Sequence, residues 1–423
     1  MKVLLVNPPN TSQGGFSNAP LGLLYLAGAL EQDGHEVALV DGYLDGWDGI
    51  DRALSTGPEM VGITCYTPGR HNAMECARRA KGVGAMTVLG GPHPTIMWKQ
   101  ILENYPEVDL CVLGEGEMTI RELAMWPNPG AVSGLAYRSS LGPVQTPHRP
   151  QVKNLDLIDF PAWHLCELDR YPGGSGIVEA RNHYIHLGQV RVPIVATRGC
   201  RHHCWFCSSW WIWEGHRARS GANVADEVQI LVERGYHHFV FEDDAFTQYR
   251  ASIMDFCMEV VDRDLPIAFF CTTSVDAFDA ELARALKYAG CYGVSFGIES
   301  GSQRILDRIG KGTTVYQNEM AILQAKAAGL AVCALIIVGN VGETDDTINE
   351  TVGFLRRCDV QDIGTLGALW VFPGTALHGY AKRQGYVDDN YWLGPQETFT
   401  LYDGWTPEHL GRWHHAVCTR TFL

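Results

Sequence analysis

The residues whose spacing carries the most chemistry lie at 197–207, TRGCRHHCWFC, with thiols at Cys200, Cys204 and Cys207. A strand-like run at 192–196 leads into this loop, and a helical pattern does not begin until about Ala222. Three cysteines spaced CX3CX2C cannot close a tetrahedral zinc site by themselves, because such sites show paired hooks or mixed Cys/His sets. Three thiolates do suit an iron–sulfur cubane that leaves one iron free to bind a ligand. A zinc site completed by His202 or His203, or a chance cluster of cysteines, stays open at this point.

The elements that would position such a loop come in two series. In the first, apolar strands at 2–6, 36–40, 60–64, 87–89 and 110–113 alternate with helical patterns at 21–32 and 72–81. Strand–helix alternation implies a parallel sheet covered by helices, and open sheets of this kind bind ligands beyond the carboxyl ends of their strands. The turns at those ends are rich in Pro and Gly: VNPPN at 6–10, GGPHPT at 90–95 and LGEGE at 113–117. In the second series, strands at 192–196, 238–242, 267–271, 293–298, 332–338 and 365–371 enclose helices such as 224–233, 280–288 and 316–328. Polar residues recur just after these strands, at the end where parallel barrels carry their chemistry. They are Glu242-Asp243-Asp244, Ser274, Glu299 and the GNVGET loop beginning at Gly339.

The CX3CX2C loop, with Phe206 before its last cysteine, resembles the signature of the radical S-adenosylmethionine (radical SAM) enzymes. The resemblance implies that Cys200, Cys204 and Cys207 hold a [4Fe-4S] cluster whose fourth iron chelates the amino and carboxylate groups of SAM. The EDDAF run at 242–246 is similar to the family's contact with the SAM amino group, which assigns Glu242 and Asp243 to it. By the same resemblance Ser274 meets the SAM carboxylate and Glu299, in GIESGSQRILDRIGKG, meets the ribose. Gly339 lies beside adenine, and Arg304 and Lys311 are further candidates.

The turns of the first series, together with PLGLLYLAGAL at 20–30, resemble the cobalamin-binding domain of many radical SAM enzymes. The resemblance places Pro8, Pro9, Tyr66, Thr67, Arg70, Gly90, Gly91, His93, Gly114, Glu115, Gly116 and Glu117 around cobalamin. No D-x-H-x-x-G is present, so that motif supplies no histidine below the cobalt; the loop 65–71 would lie near that face, offering Tyr66, Arg70 and His71. An arginine there has no lone pair to give the metal. His93 is expected at the cobalamin periphery. No G-x-G-x-x-G follows the first strand, which weakens a dinucleotide reading. A plain Rossmann-like nucleotide domain, or one that has lost its ligand, is the alternative.

The implied fold is α/β: a Rossmann-like cobalamin-binding domain over 1–140, a connector over 141–190, a partial (β/α)6 TIM-type barrel over 191–380 and a small helical cap over 381–423. LDLIDFPAW at 155–163 resembles the family's connector. The stretch from 126 to 163 reads as loop-rich, and 172–176 as a loop. The aromatic tail, with Trp392, Trp405 and Trp413, reads as the core of the cap. The activity that the resemblance implies is a cobalamin-dependent radical SAM methyltransferase. A 5′-deoxyadenosyl radical takes hydrogen from an unactivated carbon, and methylcobalamin gives the methyl. The alternatives are a relative that rearranges, cyclises or oxidises its substrate, a non-radical cobalamin/SAM methyltransferase, or a cobalamin carrier. A carrier has no need of a SAM site. The expected substrate is a small natural-product-type molecule, ahead of a peptide or a lipid, and the expected electron source is an external low-potential donor.

Composition excludes other classes. A net charge of −15 offers no basic face for nucleic acid. No run of eighteen apolar residues appears, so no transmembrane helix is expected. The start MKVLLVNPPN reads as a first strand rather than a signal peptide. Ten further cysteines are scattered without ligand spacing, as small buried hydrophobes would be, which points to a reducing, cytoplasmic setting.

Overall fold

Buried on both faces, a strand of a helix-covered parallel sheet should read as an unbroken apolar run. The first strand does: Val3, Leu4, Leu5 and Val6 are all buried. In the computed structural model, which describes residues 1–9, 18–126, 128–173, 175–180, 183–188, 190–360 and 362–423, the chain forms two compact units. Asn10 of VNPPN and Gly174 of the 172–176 loop lie outside the described residues.

The first unit comprises 1–172 and 389–398. Its strands are β1 (Lys2–Asn7), β2 (Glu36–Asp41), β3 (Met60–Thr64), β4 (Met86–Gly90), β5 (Leu110–Val112), β6 (Leu135–Ser139) and β7 (Gly142–Gln145). They form one sheet in the order β2-β1-β3-β4-β5-β6-β7. The pairs from β2 to β5 are parallel, and β6 and β7 continue antiparallel. Growth to both sides of β1 makes a switch point, with a crevice beyond the carboxyl ends of β1 and β3 where such sheets take ligands. Helices α1 (Leu21–Gln32), α2 (Gly42–Leu54), α3 (Arg70–Gly82) and α4 (Pro92–Asn104) connect the parallel strands, and α5 (Glu117–Met125) follows β5 before the antiparallel β6.

Three features depart from the sequence reading. Glycines at 42, 46 and 49 hide the periodicity of α2, and Gly46 takes a φ of 59° inside it. The GGPHPT turn runs straight into α4, because a proline is well tolerated at a helix start. The stretch expected to be loops contains the β6–β7 hairpin, so a boundary at 140 would cut the hairpin turn, and the unit continues to Pro172.

The second unit comprises 173–388 and 399–423. A hairpin, β8 (Ile177–Ala180) and β9 (His183–His186), precedes β10 (Val192–Ile194). A short antiparallel pair follows, β11 (Thr197–Arg198) with β12 (Arg217–Ala218), flanking α6 (Ser209–Ile212). Then come β13 (His238–Phe241), β14 (Ala268–Thr273), β15 (Cys291–Glu299), β16 (Ala331–Val338) and β17 (Asp362–Ala368). Strands β10 and β13 to β17 form one parallel sheet in chain order, with β10 and β17 at its edges. That is the open arrangement of a partial barrel. The covering helices are α7 (Gly221–Glu233), α8 (Arg250–Asp262), α9 (Ala280–Tyr288), α10 (Gln303–Arg308), α11 (Val315–Ala327) and α12 (Asp345–Arg357). The chain ends with β18 (Trp370–Val371), α13 (Ala376–Arg383), β19 (Phe399–Thr400) and α14 (Pro407–Thr419). Among the described residues no helix is long and apolar enough to cross a membrane. Of the ten cysteines outside the loop, Cys418 is exposed and Cys333 half-buried; the others are buried.

The connector LDLIDFPAW lies along α1, where the Ala162 N–H donates to the Leu24 carbonyl at 2.9 Å. A Cβ at Gly28 would stand 2.3 Å from the Phe160 carbonyl oxygen. Alanine gains about 1 kcal/mol of helix propensity over glycine, but overpacking against fixed backbone costs about 1–3 kcal/mol. Gly28→Ala is therefore expected to lower the denaturant midpoint of the first unit. Gly22→Ala on the same helix, where a Cβ meets nothing within 4 Å, should leave it unchanged or slightly raised. Equal midpoints for the two variants would show that the connector does not constrain α1.

Candidate active site

The cluster loop is fixed at both ends before its first cysteine. β11 and β12 clamp its stem. Gly199 adopts a φ of 89° so close to Gly215 that a Cβ would lie 2.1 Å from the Gly215 carbonyl oxygen, and only glycine fits. Beyond it Cys204 is buried, and Cys200 and Cys207 are half-buried. Their sulfurs face hydrogen-bond donors: Gln248 Nε2 at 3.6 Å from Cys200 and the Ser209 N–H at 3.4 Å from Cys207. The His202 N–H also points to Cys200. Burial pushes the Cys204 thiol up to about 11 and Cys207 to about 12, with neighbouring thiols adding to the rise. As free groups these cysteines would stay protonated, whereas a bound cation deprotonates a coordinating thiol. Cysteines at this spacing, with N–H donors aimed at Cys200 and Cys207, suit an iron–sulfur cluster.

The alternative of a zinc site completed by histidine fares worse. His202 Nε2 sits 3.1 Å from the Asp276 carboxylate. The loop's far wall is apolar. Phe206 packs on Ile305, Leu306 and Ile309, and the Trp205 N–H donates to the Ile309 carbonyl at 2.9 Å.

At the strand ends, the expected SAM residues divide by what their polar atoms already touch. Glu242 is exposed. Asp243 is buried, and its carboxylate accepts from the Thr197 hydroxyl at 2.7 Å, the Ala196 N–H at 3.3 Å and the Thr197 N–H. It thus fastens the cluster loop to β13, and contact with a SAM amino group is not what the geometry gives it. Ser274 is buried and accepts from Gln248 Nε2 at 3.0 Å. Glu299 takes a φ of 61°, where the β15–β16 register shifts, and its Oε1 accepts from Lys311 Nζ at 2.8 Å. Both partners are buried. A Cβ at Gly297 would lie 2.8 Å from that Nζ, so this glycine makes room for the pair. Burial works against the Lys311 charge, but Glu299, Cys204 and Cys200 outweigh it and raise its pKa. Arg304 is exposed and donates to the Thr344 hydroxyl at 3.0 Å. Gly339, with a φ of 83°, is covered by Trp405 of the tail, whose ring would stand 2.5 Å from a Cβ there.

In the first unit, the crevice beyond β1 and β3 is lined by the expected turns. Pro8 is buried, and the Pro9 carbonyl accepts from Asn72 Nδ2 at 2.6 Å. Gly91, at a φ of 107°, would put a Cβ 2.9 Å from the Cys65 carbonyl oxygen, which holds Gly90-Gly91 against the loop after β3. Tyr66 is 57% exposed. His93 is buried 3.1 Å from the Thr67 hydroxyl, and burial, with Arg70 and His71 nearby, pushes it down to about 3. It is neutral. Gly114 takes a φ of 74°, and its N–H donates to Thr95 Oγ1 at 3.1 Å. Glu115 accepts from the Val152 N–H at 2.9 Å, Gly116 abuts Leu26, and Glu117 begins α5 as a buried residue.

Arg70 corrects the expectation of a cation facing cobalt. Its guanidinium is buried, and all five N–H groups donate to carbonyls, those of Thr67, Trp392, Gly394, Gln396 and Glu397. The Glu397 carboxylate also accepts from the Gly69 N–H at 2.5 Å. Arg70 therefore anchors the segment 389–398 to the start of α3. Sequence reasoning missed Gln248, Glu397 and the cover that Trp405 gives Gly339. Only Gln248 had a signal, its place directly after EDDAFT.

The family model described as B12 binding domain matches residues 11–124, and that of the Radical SAM superfamily matches residues 194–355. An uncharacterized methyltransferase of Pyrococcus horikoshii is 33% identical over 399 residues, covering 90% of this chain and 83% of that protein. The anaerobic magnesium-protoporphyrin IX monomethyl ester cyclase of Rubrivivax gelatinosus is 34% identical over 378 residues, covering 84% of this chain and 66% of that protein. Among solved structures, TsrM, a radical SAM methyltransferase from Kitasatospora setae with cobalamin and a [4Fe-4S] cluster bound, superposes with a TM-score of 0.74 at 23% identity. That match covers 90% of this chain and 78% of TsrM.

The anchoring role of Asp243 has a pH signature. Burial raises its carboxyl to about 7, against roughly 4 in an unfolded chain. Between those values the folded protein keeps a proton that the unfolded chain has lost, so this contribution to stability falls as pH rises through the window. Asp243→Asn should destabilise the iron-free protein by about 1–3 kcal/mol, since an amide N–H2 then meets N–H donors. The deficit should be larger at about pH 5 than at about pH 8. A pH-independent deficit in urea denaturation would contradict the assignment.

Proposed function

Because the chain belongs to the cobalamin-dependent radical SAM enzymes, we propose that it methylates an unactivated carbon of a small natural-product-type molecule. Its cofactors are a [4Fe-4S] cluster, SAM and cobalamin. Methyl transfer in place of another radical outcome rests chiefly on one observation. The relative named as a methyltransferase is matched over 83% of its length, the cyclase over 66%.

When bound, these cofactors supply one-electron cleavage of SAM and a transferable methyl group, chemistry that side chains alone cannot provide. The chain's part is to hold and orient. Cys200, Cys204 and Cys207 would hold the cluster as thiolates, with donors to Cys200 and Cys207 offsetting their burial. Phe206, on its apolar wall, keeps water from one side of the loop. Glu299 gives one carboxylate oxygen to Lys311, which balances its charge, and the other oxygen would accept from the ribose hydroxyls of bound SAM. The GNVGET loop is held in shape by Glu343, which accepts from the Asn340 N–H at 3.0 Å and the Thr347 hydroxyl at 3.2 Å, leaving backbone for adenine. An external low-potential donor would supply the electron that the bound cluster needs. In the first unit the turns after β1, β3, β4 and β5 take cobalamin, with glycines where backbone must come close.

Cys200→Ser, Cys204→Ser and Cys207→Ser should each lose the cluster and all 5′-deoxyadenosine formation, yet still bind cobalamin. Iron at the wild-type level in any of them would overturn the ligand set.

The reaction is tested by turnover with methyl-deuterated SAM. Deuterium in a new product methyl, with both S-adenosylhomocysteine and 5′-deoxyadenosine, is expected. Deoxyadenosine without a labelled methyl would favour a cyclising, rearranging or oxidising activity. A labelled product without deoxyadenosine would favour a non-radical methyl transfer.

A further inference from the structure

Directly after β13 the chain makes a 3₁₀ turn, Phe246–Gln248, and its last residue reaches into the cluster loop. The turn is pinned to β14, since the Thr247 N–H donates to the Thr273 hydroxyl at 3.1 Å and the two hydroxyls bond at 2.6 Å. Gln248 is 4% exposed, and every polar atom of its carboxamide is engaged. Oε1 accepts from the Arg201 N–H at 2.9 Å, while Nε2 donates to Ser274 Oγ at 3.0 Å and to Cys200 Sγ at 3.6 Å. The Gln248 carbonyl also accepts from Arg201 Nη2 at 2.7 Å.

This network fixes which way the amide faces. The Arg201 N–H can only donate, so the oxygen must meet it, and the NH2 group is left for Cys200 and Ser274. A buried, rigidly held N–H then points at one thiol and not at the other two. We propose that Gln248 sets the reduction potential of the cluster through its N–H hydrogen bond to Cys200, which rests on the reading of Cys200 as a ligand. Hydrogen bonds to ligating sulfurs are among the factors that set iron–sulfur potentials. A donor stabilises negative charge on the sulfur, more so in the reduced cluster, and so raises the potential. Gln248 is a positioning residue: it touches the ligand and the loop backbone, and no reacting atom.

Two substitutions separate this effect from mere support of the loop. Gln248→Glu keeps an oxygen for the Arg201 N–H at nearly the same shape but removes both donors. Gln248→Met removes donor and acceptor alike. The reading is redox titration of the reconstituted holoenzyme without SAM, followed by electron paramagnetic resonance of the reduced cluster, with iron content in parallel. A lower midpoint potential is expected in Gln248→Met, and a still lower one in Gln248→Glu, whose carboxylate adds negative charge beside the sulfur. Because resonance reads only the protein that carries a cluster, partial loss of iron leaves the test valid. A wild-type midpoint in both variants, with or without reduced iron content, would overturn the proposal and leave Gln248 a loop support. Failure of the ligand reading is seen separately, as full iron content in Cys200→Ser.

Discussion

The Asp243 carboxylate sits out of water at the end of β13, so its hydrogen bonds must be found inside the protein, and Ala196 and Thr197 provide them. A buried carboxylate without such partners would be costly, so the start of the cluster loop is held to β13 at a defined height. Gly199 then turns the chain where no side chain fits, and Cys200 follows immediately. Gln248 reaches back from the same strand end to meet the Arg201 N–H. The first half of the loop is thus built from one strand's carboxyl end. The second half leans on helix α10 and its C-terminal end, through Trp205 and Phe206 against Ile305 and Ile309.

The same physics organises the first unit with the sign reversed. Arg70 is a buried cation, and carbonyl oxygens rather than a carboxylate satisfy its whole fork. Four of the five carbonyls belong to a segment more than three hundred residues away in the chain, which ties 389–398 to the first unit. Planar geometry with five donors suits arginine to this task, and lysine could not meet five carbonyls at once. The start of α3 is set from both sides, by Arg70 from within and by the Glu397 carboxylate on the Gly69 N–H.

Much of this was legible in the sequence because it is local. The CX3CX2C loop, the strand ends and the Gly-rich turns are spacings of a few residues. Strands β1, β3 and β16 announce themselves as apolar runs. Helices α2 and α4 did not, since glycine and proline at their starts read as turns. Charges misled where the partner was distant. A sequence shows that residue 70 is an arginine, but not that Trp392 and Gln396 consume its donors. Asp243 sits in a motif suggestive of ligand contact, and the Thr197 hydroxyl takes its carboxylate. Gln248 is an ordinary residue type, and only its three partners make it notable.

That distinction sorts the strand-end carboxylates of the second unit. Asp243 and Glu343 are buried with raised pKa values, both near 7, and each accepts several hydrogen bonds, Asp243 from the cluster-loop stem and Glu343 from its own loop. Their geometry is relaxed, and they serve the frame. Glu299 is different. It stands in the left-handed region that non-glycine residues avoid, at a break in sheet register, with a single buried cation for a partner. Such backbone strain costs about 1–3 kcal/mol and persists only where the surroundings enforce it. Gly297 is the enforcing element, because its missing side chain is where Lys311 and the Glu299 carboxylate meet. A carboxylate needed only to neutralise Lys311 would not have to leave the regular strand conformation. Of the three carboxylates, Glu299 alone stands at positive φ and accepts from one buried cation.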